Sequence, residues 1–149
     1  MNILVVGAGG VGASMASIAE TRSFFDSFVL ADISRERAEQ AVAELDDPGK
    51  FSAEVVDASS VSDLVALIAK VKADIVVNAC DPRFNEPIFE ACFQSKCSYL
   101  DMAMNLSHPH PTNPYEEVGI SLGRDQLAAH ESWKERGILA LVGMGVEPG

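Results

Sequence analysis

The chain has 149 residues, 48% of them hydrophobic, with 11 Lys and Arg against 22 Asp and Glu for a formal net charge of −11. That length and apolar content suit one globular domain with its own core, and an acidic balance without a local basic patch argues against nucleic-acid and anionic-membrane partners. The three cysteines fit no zinc spacing, no apolar run nears the ~18 residues of a membrane helix, and no leader-like segment precedes the first strand, so reduced thiols, no metal site and a cytoplasmic protein are expected.

Ile3 to Val6, four β-prone apolar residues, predict a buried strand. Directly behind comes Gly7-Ala8-Gly9-Gly10-Val11-Gly12, which fits G-x-G-x-x-G and leads into a helix predicted over Val11 to Thr21. In such a turn Gly7 permits the tight bend, Gly9 lets the backbone approach a pyrophosphate, and Gly12 lets the helix pack close to the strand. The helix N-terminus adds free N–H groups and a positive dipole end. Small residues also serve plain packing, so the context has to decide. The second strand, Phe28 to Ala31, is followed by Asp32, 20 positions past the last glycine, where a ribose-binding acid is expected, with Ile33 beside it. A carboxylate there accepts from both ribose hydroxyls of NAD and repels the 2′-phosphate of NADP. NAD is therefore the expected cofactor, although Arg35 and Arg37 keep NADP open if they are more than solvent-facing charges beside Glu36 and Glu39.

A helix over Arg35 to Leu45 precedes a third strand, Ala53 to Val56. Asp57-Ala58 at its end is expected near the adenine, and Asp57 reads equally well as a helix cap. The next helix, Val61 to Val71, has a capped start in Ser60 and Asp63 and one apolar face in Val61, Leu64, Val65 and Ile68. The fourth strand, Ile75 to Val77, runs into Asn78-Ala79-Cys80, expected near the ribose and nicotinamide half of the ligand. The plainer readings are a turn amide for Asn78 and a buried small residue for Cys80. After a helix over Asn85 to Ser95 and a strand at Ser98 to Leu100, the stretch Met104 to Gly123 is too long and proline-rich for an ordinary connection. It reads as an excursion on the ligand side, with His108 and His110 as exposed spacing rather than a proton relay. A helix over Arg124 to Glu135, anchored by Trp133, and a strand over Ile138 to Val142 complete the pattern. Strand and helix alternate throughout, which predicts a doubly wound, mostly parallel α/β sheet in three layers, a Rossmann fold.

Four segments occur together: GAGGVG, VNACDP at Val77 to Pro82, YLDMA at Tyr99 to Ala103, and GMGVEPG at Gly143 to Gly149. This combination resembles the amino-terminal region of the saccharopine dehydrogenase-like oxidoreductases, and does so over nearly the whole chain. The resemblance implies hydride transfer between a nicotinamide and the amine-bearing carbon of an amino acid or related amine. It also implies that Asp101 and Glu147 are catalytic and face nicotinamide and substrate, while Asp101 reads equally as a structural carboxylate held by loop N–H groups. Members of this family continue into a second domain with much of the substrate pocket and the dimer contact. Residues 1–149 are accordingly expected to be a cofactor domain cut before it, inactive alone. The contrasting expectation is a non-catalytic NAD-sensing module, which needs neither the excursion nor the closing Glu-Pro-Gly.

Overall fold

Alternation within the first strand decides the layering. β1 (Asn2–Val6) sends Ile3 and Val5 to one face and Leu4 and Val6 to the other, and all four are buried. A strand apolar on both faces needs a helical layer over each, which is the situation of a parallel sheet. The computed structural model describes residues 1–145 and has that architecture.

In chain order β1 is followed by α1 (Gly10–Glu20), β2 (Ser27–Asp32), α2 (Arg35–Ala43), β3 (Phe51–Val55), α3 (Val61–Val71), β4 (Ile75–Asn78), α4 (Asn85–Ser95), β5 (Ser98–Asp101), α5 (Arg124–Ala128), α6 (His130–Glu135) and β6 (Ala140–Leu141). The strands form one parallel sheet in the order β3-β2-β1-β4-β5-β6. Ala16 and Ala19 of α1 and Ala38 and Ala41 of α2 pack with Ile3, Val5, Phe28 and Leu30 on one face. Leu64, Leu67 and Ile68 of α3, Ile88 and Ala91 of α4, and Trp133 of α6 pack with Leu4, Val6, Val76 and Tyr99 on the other. The order reverses at β1, whose neighbours are β2 and β4, and such a switch opens a crevice at the carboxyl ends of the strands.

Local chemistry sets the helix ends. The Ser34 and Ser60 hydroxyls accept from the N–H groups of Arg37 and Asp63, capping α2 and α3. The caps and periodicity predicted α3, and the helical pattern predicted α4, at the observed bounds. Beyond shifts of one or two residues at element ends, as at Ala43 of α2 and Phe51 of β3, two expectations change. The single helix over Arg124 to Glu135 is two short helices broken at Ala129, where ψ is −2°. Its two buried anchors have different partners: Gln126 hydrogen-bonds to Asp101 at the end of β5, while Trp133 joins Phe89, Phe93 and Tyr99 in an aromatic cluster. The last strand narrows to Ala140–Leu141, because it pairs on one side only, with β5. Residues 102–123 contain no helix or longer strand, only a bridge between His108 and Ile120.

Candidate functional site

The glycine turn is shaped by close approach on one side and left open on the other. Gly7 takes φ of +105°, and a Cβ there would meet the Ala79 carbonyl oxygen and Cys80 Sγ, both at 2.9 Å. At Gly12 a Cβ would stand 2.0 Å from the Gly7 carbonyl oxygen, so the first turn of α1 rests directly on the end of β1. Gly9 and Gly10 differ: a Cβ at either meets nothing within 4 Å. Gly9 is also the N-cap of α1 and offers no side-chain cap, so no cap side chain takes up the amides that open the helix.

Asp32 clamps this turn to β2. The carboxylate is 7% exposed. Oδ2 accepts the Ala8 N–H at 2.9 Å and Oδ1 accepts the Ser34 N–H at 2.9 Å. Arg37 lies across both oxygens, with Nη1 at 3.2 and 3.4 Å, and its own side chain is 58% exposed.

The carboxyl ends of β1 to β4 wall a cavity of about 350 Å³. It brings together Gly7, Gly9, Asp32, Ile33, Asp57, Ala58, Ala79 and Cys80 from the sequence-based set. Ala8 and Gly10 border a shallower depression with Gln40 and Glu44, and Arg37 lines both spaces. Val11 and Gly12 lie in the first turn of α1 outside the cavity wall. Asp57 accepts at Oδ1 from the Ser59 hydroxyl at 2.6 Å and the Ser59 N–H at 2.8 Å, and these bonds hold its carboxyl below the usual range. The cap of α3 is Ser60, so Asp57 shapes the turn before it. Cys80 is a wall residue: its thiol donates to the Val6 carbonyl at 3.3 Å, and burial, with Asp32 and Asp81 nearby, pushes it up to about 11.

Asn78 and Asp101 sit apart from that wall, in a buried polar network. The Asn78 amide donates to Asn85 Oδ1 at 2.7 Å, and Asn78 Oδ1 accepts the Cys80 N–H at 2.9 Å. Asp101 is 1% exposed. Its Oδ2 accepts from the Tyr99 hydroxyl at 2.8 Å and the Gln126 amide at 2.7 Å, and its Oδ1 accepts the Gly143 N–H at 2.7 Å. Burial pushes the Tyr99 phenol well above its ordinary range, so it remains a donor. Glu147 lies outside the described residues. Sequence reasoning did not single out Asp81, Arg83 and Phe84, which complete the cavity wall, or Gln126, the partner of Asp101. Pro82 after Asp81 was the available signal for a short turn there; nothing local marked Gln126. No group of three or more His, Cys, Asp or Glu suited to a metal ion occurs among the described residues. No helix among them is long and apolar enough to cross a membrane.

A glycine turn left bare at Gly9 and Gly10 where a helix opens, with an acid closing the second strand, is the arrangement of a dinucleotide site. Comparison with known proteins identifies which kind. Residues 3–141 match the family described as the saccharopine dehydrogenase NADP binding domain. The chain belongs to this family. Its ligand is accordingly a nicotinamide dinucleotide. The chain is 32% identical over 157 residues to carboxynorspermidine synthase of Vibrio cholerae, covering 100% of this chain and 37% of that protein. It is 31% identical over 147 residues to carboxyaminopropylagmatine dehydrogenase of Synechocystis sp., covering 99% of this chain and 35% of that protein. The chain thus spans little more than a third of the length of these relatives. Apo saccharopine dehydrogenase (L-Glu forming) from Saccharomyces cerevisiae shares the fold with a TM-score of 0.70 at 17% identity, over 99% of this chain and 28% of that one.

Proposed function

We propose that the chain binds NAD with its diphosphate over Gly9 and its adenosine ribose at Asp32, as the cofactor half of an oxidoreductase acting on the carbon–nitrogen bond of an amino acid or related amine. The observation that carries this is the empty approach to Gly9 beside the amides of α1. The bound nicotinamide supplies hydride transfer. The protein holds the diphosphate on backbone N–H groups, keeps the turn in place through Ala8 and Asp32, and walls the cleft with Ala58, Ala79 and Cys80. The names of the two relatives, a synthase and a dehydrogenase of amine-bearing compounds, support the substrate class. By the same reasoning Asp101 acts by holding the Gly143 turn, while Glu147 is proposed to face the substrate. The three free thiols support a reducing compartment, the cytoplasm, and the remainder of a full-length chain is proposed to form a homodimer.

A second reading, NADP, is favoured by Arg37, which lines the cleft and is exposed enough to turn toward a 2′-phosphate. Calorimetry separates the two. For NAD, the wild-type chain binds it roughly tenfold or more tightly than NADP, and Asp32→Ala weakens NAD more than NADP. Tighter NADP binding that disappears in Arg37→Ala establishes the second reading instead. An enzyme is distinguished from a non-catalytic sensor by assaying NAD reduction with L-lysine and saccharopine in a chain extended past Gly149 to the length of its relatives.

A further inference from the structure

Beside the dinucleotide cleft lies a second cavity of about 390 Å³, and Asp81 and Arg83 form a wall common to both. Its far side comes from the segment bridged at His108 and Ile120 and from Arg124 at the start of α5. The cavity brings together two guanidinium groups with unused hydrogen-bonding capacity. Arg83 stands beside Asp81 with Nε 3.8 Å away, too far for a hydrogen bond, and Arg124 donates to Asp125 through Nε at 3.4 Å. Both pairs are exposed, so each attraction is weak. The terminal nitrogens of these two guanidinium groups donate to no group among the described residues, whereas Arg35, Arg37 and Arg136 each use one.

Arg83 is nevertheless held in place. Asp81 Oδ1 accepts its backbone N–H at 3.0 Å, and its guanidinium lies 5.0 Å from the centre of the Phe84 ring. Guanidinium groups with free terminal N–H pairs match a carboxylate in fork geometry. Glu86, in the first turn of α4, lines the same cavity and has no hydrogen-bond or ion-pair partner among the described residues. Two arginines set among Asp81, Glu86 and Asp125 favour a zwitterion over a plain anion, and the volume suits a small molecule.

Resting on the dinucleotide reading above, we infer that this cavity takes the charged end of an amino-acid substrate, its carboxylate between Arg83 and Arg124 and its ammonium toward Glu86. The shared wall of Asp81 and Arg83 sets this cavity directly beside the cleft assigned to the cofactor.

The test is an NMR titration of the ¹⁵N-labelled chain saturated with NADH. L-Lysine is the zwitterionic probe, and cadaverine is the same diamine without the carboxylate. L-Lysine should move the Nε–H signals of Arg83 and Arg124, and cadaverine should leave them in place. Arg83→Gln and Arg124→Gln should each weaken L-lysine roughly tenfold, with NADH affinity retained in Arg124→Gln. The assignment falls, and the dinucleotide reading stands, under any of three results while NADH binds: L-lysine moves neither arginine at tens of millimolar, cadaverine moves both, or Arg124→Gln titrates like the wild type. Failure of NADH to bind overturns the dinucleotide reading and this one with it.

Discussion

Two glycines of one motif carry opposite requirements. A Cβ at Gly12 would overlap the Gly7 carbonyl, whereas one at Gly9 would enter open space. Gly12→Ala should therefore cost about 1–3 kcal/mol through forced separation of helix and strand, read as a lower melting temperature without ligand. Gly9→Val should leave the unliganded melting temperature nearly unchanged and, under the proposed binding mode, abolish the thermal shift produced by NADH, since its side chain would fill the space proposed for the phosphate. Cys80 offers a test by pH. Burial keeps its thiol protonated to about 11, so its alkylation should be slow at neutral pH and rise only as pH approaches that value, with NADH protecting it and Cys80→Ser abolishing the signal. A thiol raised in the folded state contributes stability that is complete below the ordinary value of 9.0 and lost as pH rises toward 11. Alkaline unfolding should accordingly shift to higher pH in Cys80→Ser.

Among the elements, β5 is held at its end by side chains and loops distant in sequence. Its terminal Asp101 binds Gln126 of α5 and the Gly143 N–H beyond β6, and Gln126 Oε1 accepts the Asn105 N–H at 2.9 Å. Gln126→Leu removes one of the two donors to Asp101 Oδ2, which keeps the Tyr99 hydroxyl, and leaves the Asn105 N–H without its partner, at a cost of about 1–3 kcal/mol, and hydrogen exchange at Asn105 should accelerate. Elements with local causes were legible in the sequence: Ser60 and the apolar face of α3 define that helix, and the G-x-G-x-x-G turn with Asp32 marks one end of the cleft. The break at Ala129 and the two-residue β6 were not legible, because both answer to packing against β5 and the aromatic cluster. Arg83 and Phe84 reach the cleft by a short turn after Asp81, which carries no cofactor signature of its own.

At the scale of the molecule, a net charge of −11 opposes every anionic ligand, and the more so the more charge that ligand carries. NADP, with its additional phosphate, should gain more than NAD when salt rises from a few millimolar to about 0.15 M, where the screening length is about 8 Å; association rates by stopped-flow fluorescence of the reduced forms report this. The order β3-β2-β1-β4-β5-β6 also bears on synthesis. The first strand made is flanked by one that arrives much later, Leu4 lying opposite Val76, and the bend at Gly7 leans on Ala79 and Cys80. A nascent polypeptide arrested before Ile75 would carry the whole glycine signature and its acid with nothing to brace them. Competence for the nucleotide arrives with the fourth strand, and a ribosome-stalled series of increasing length would show capture beginning there.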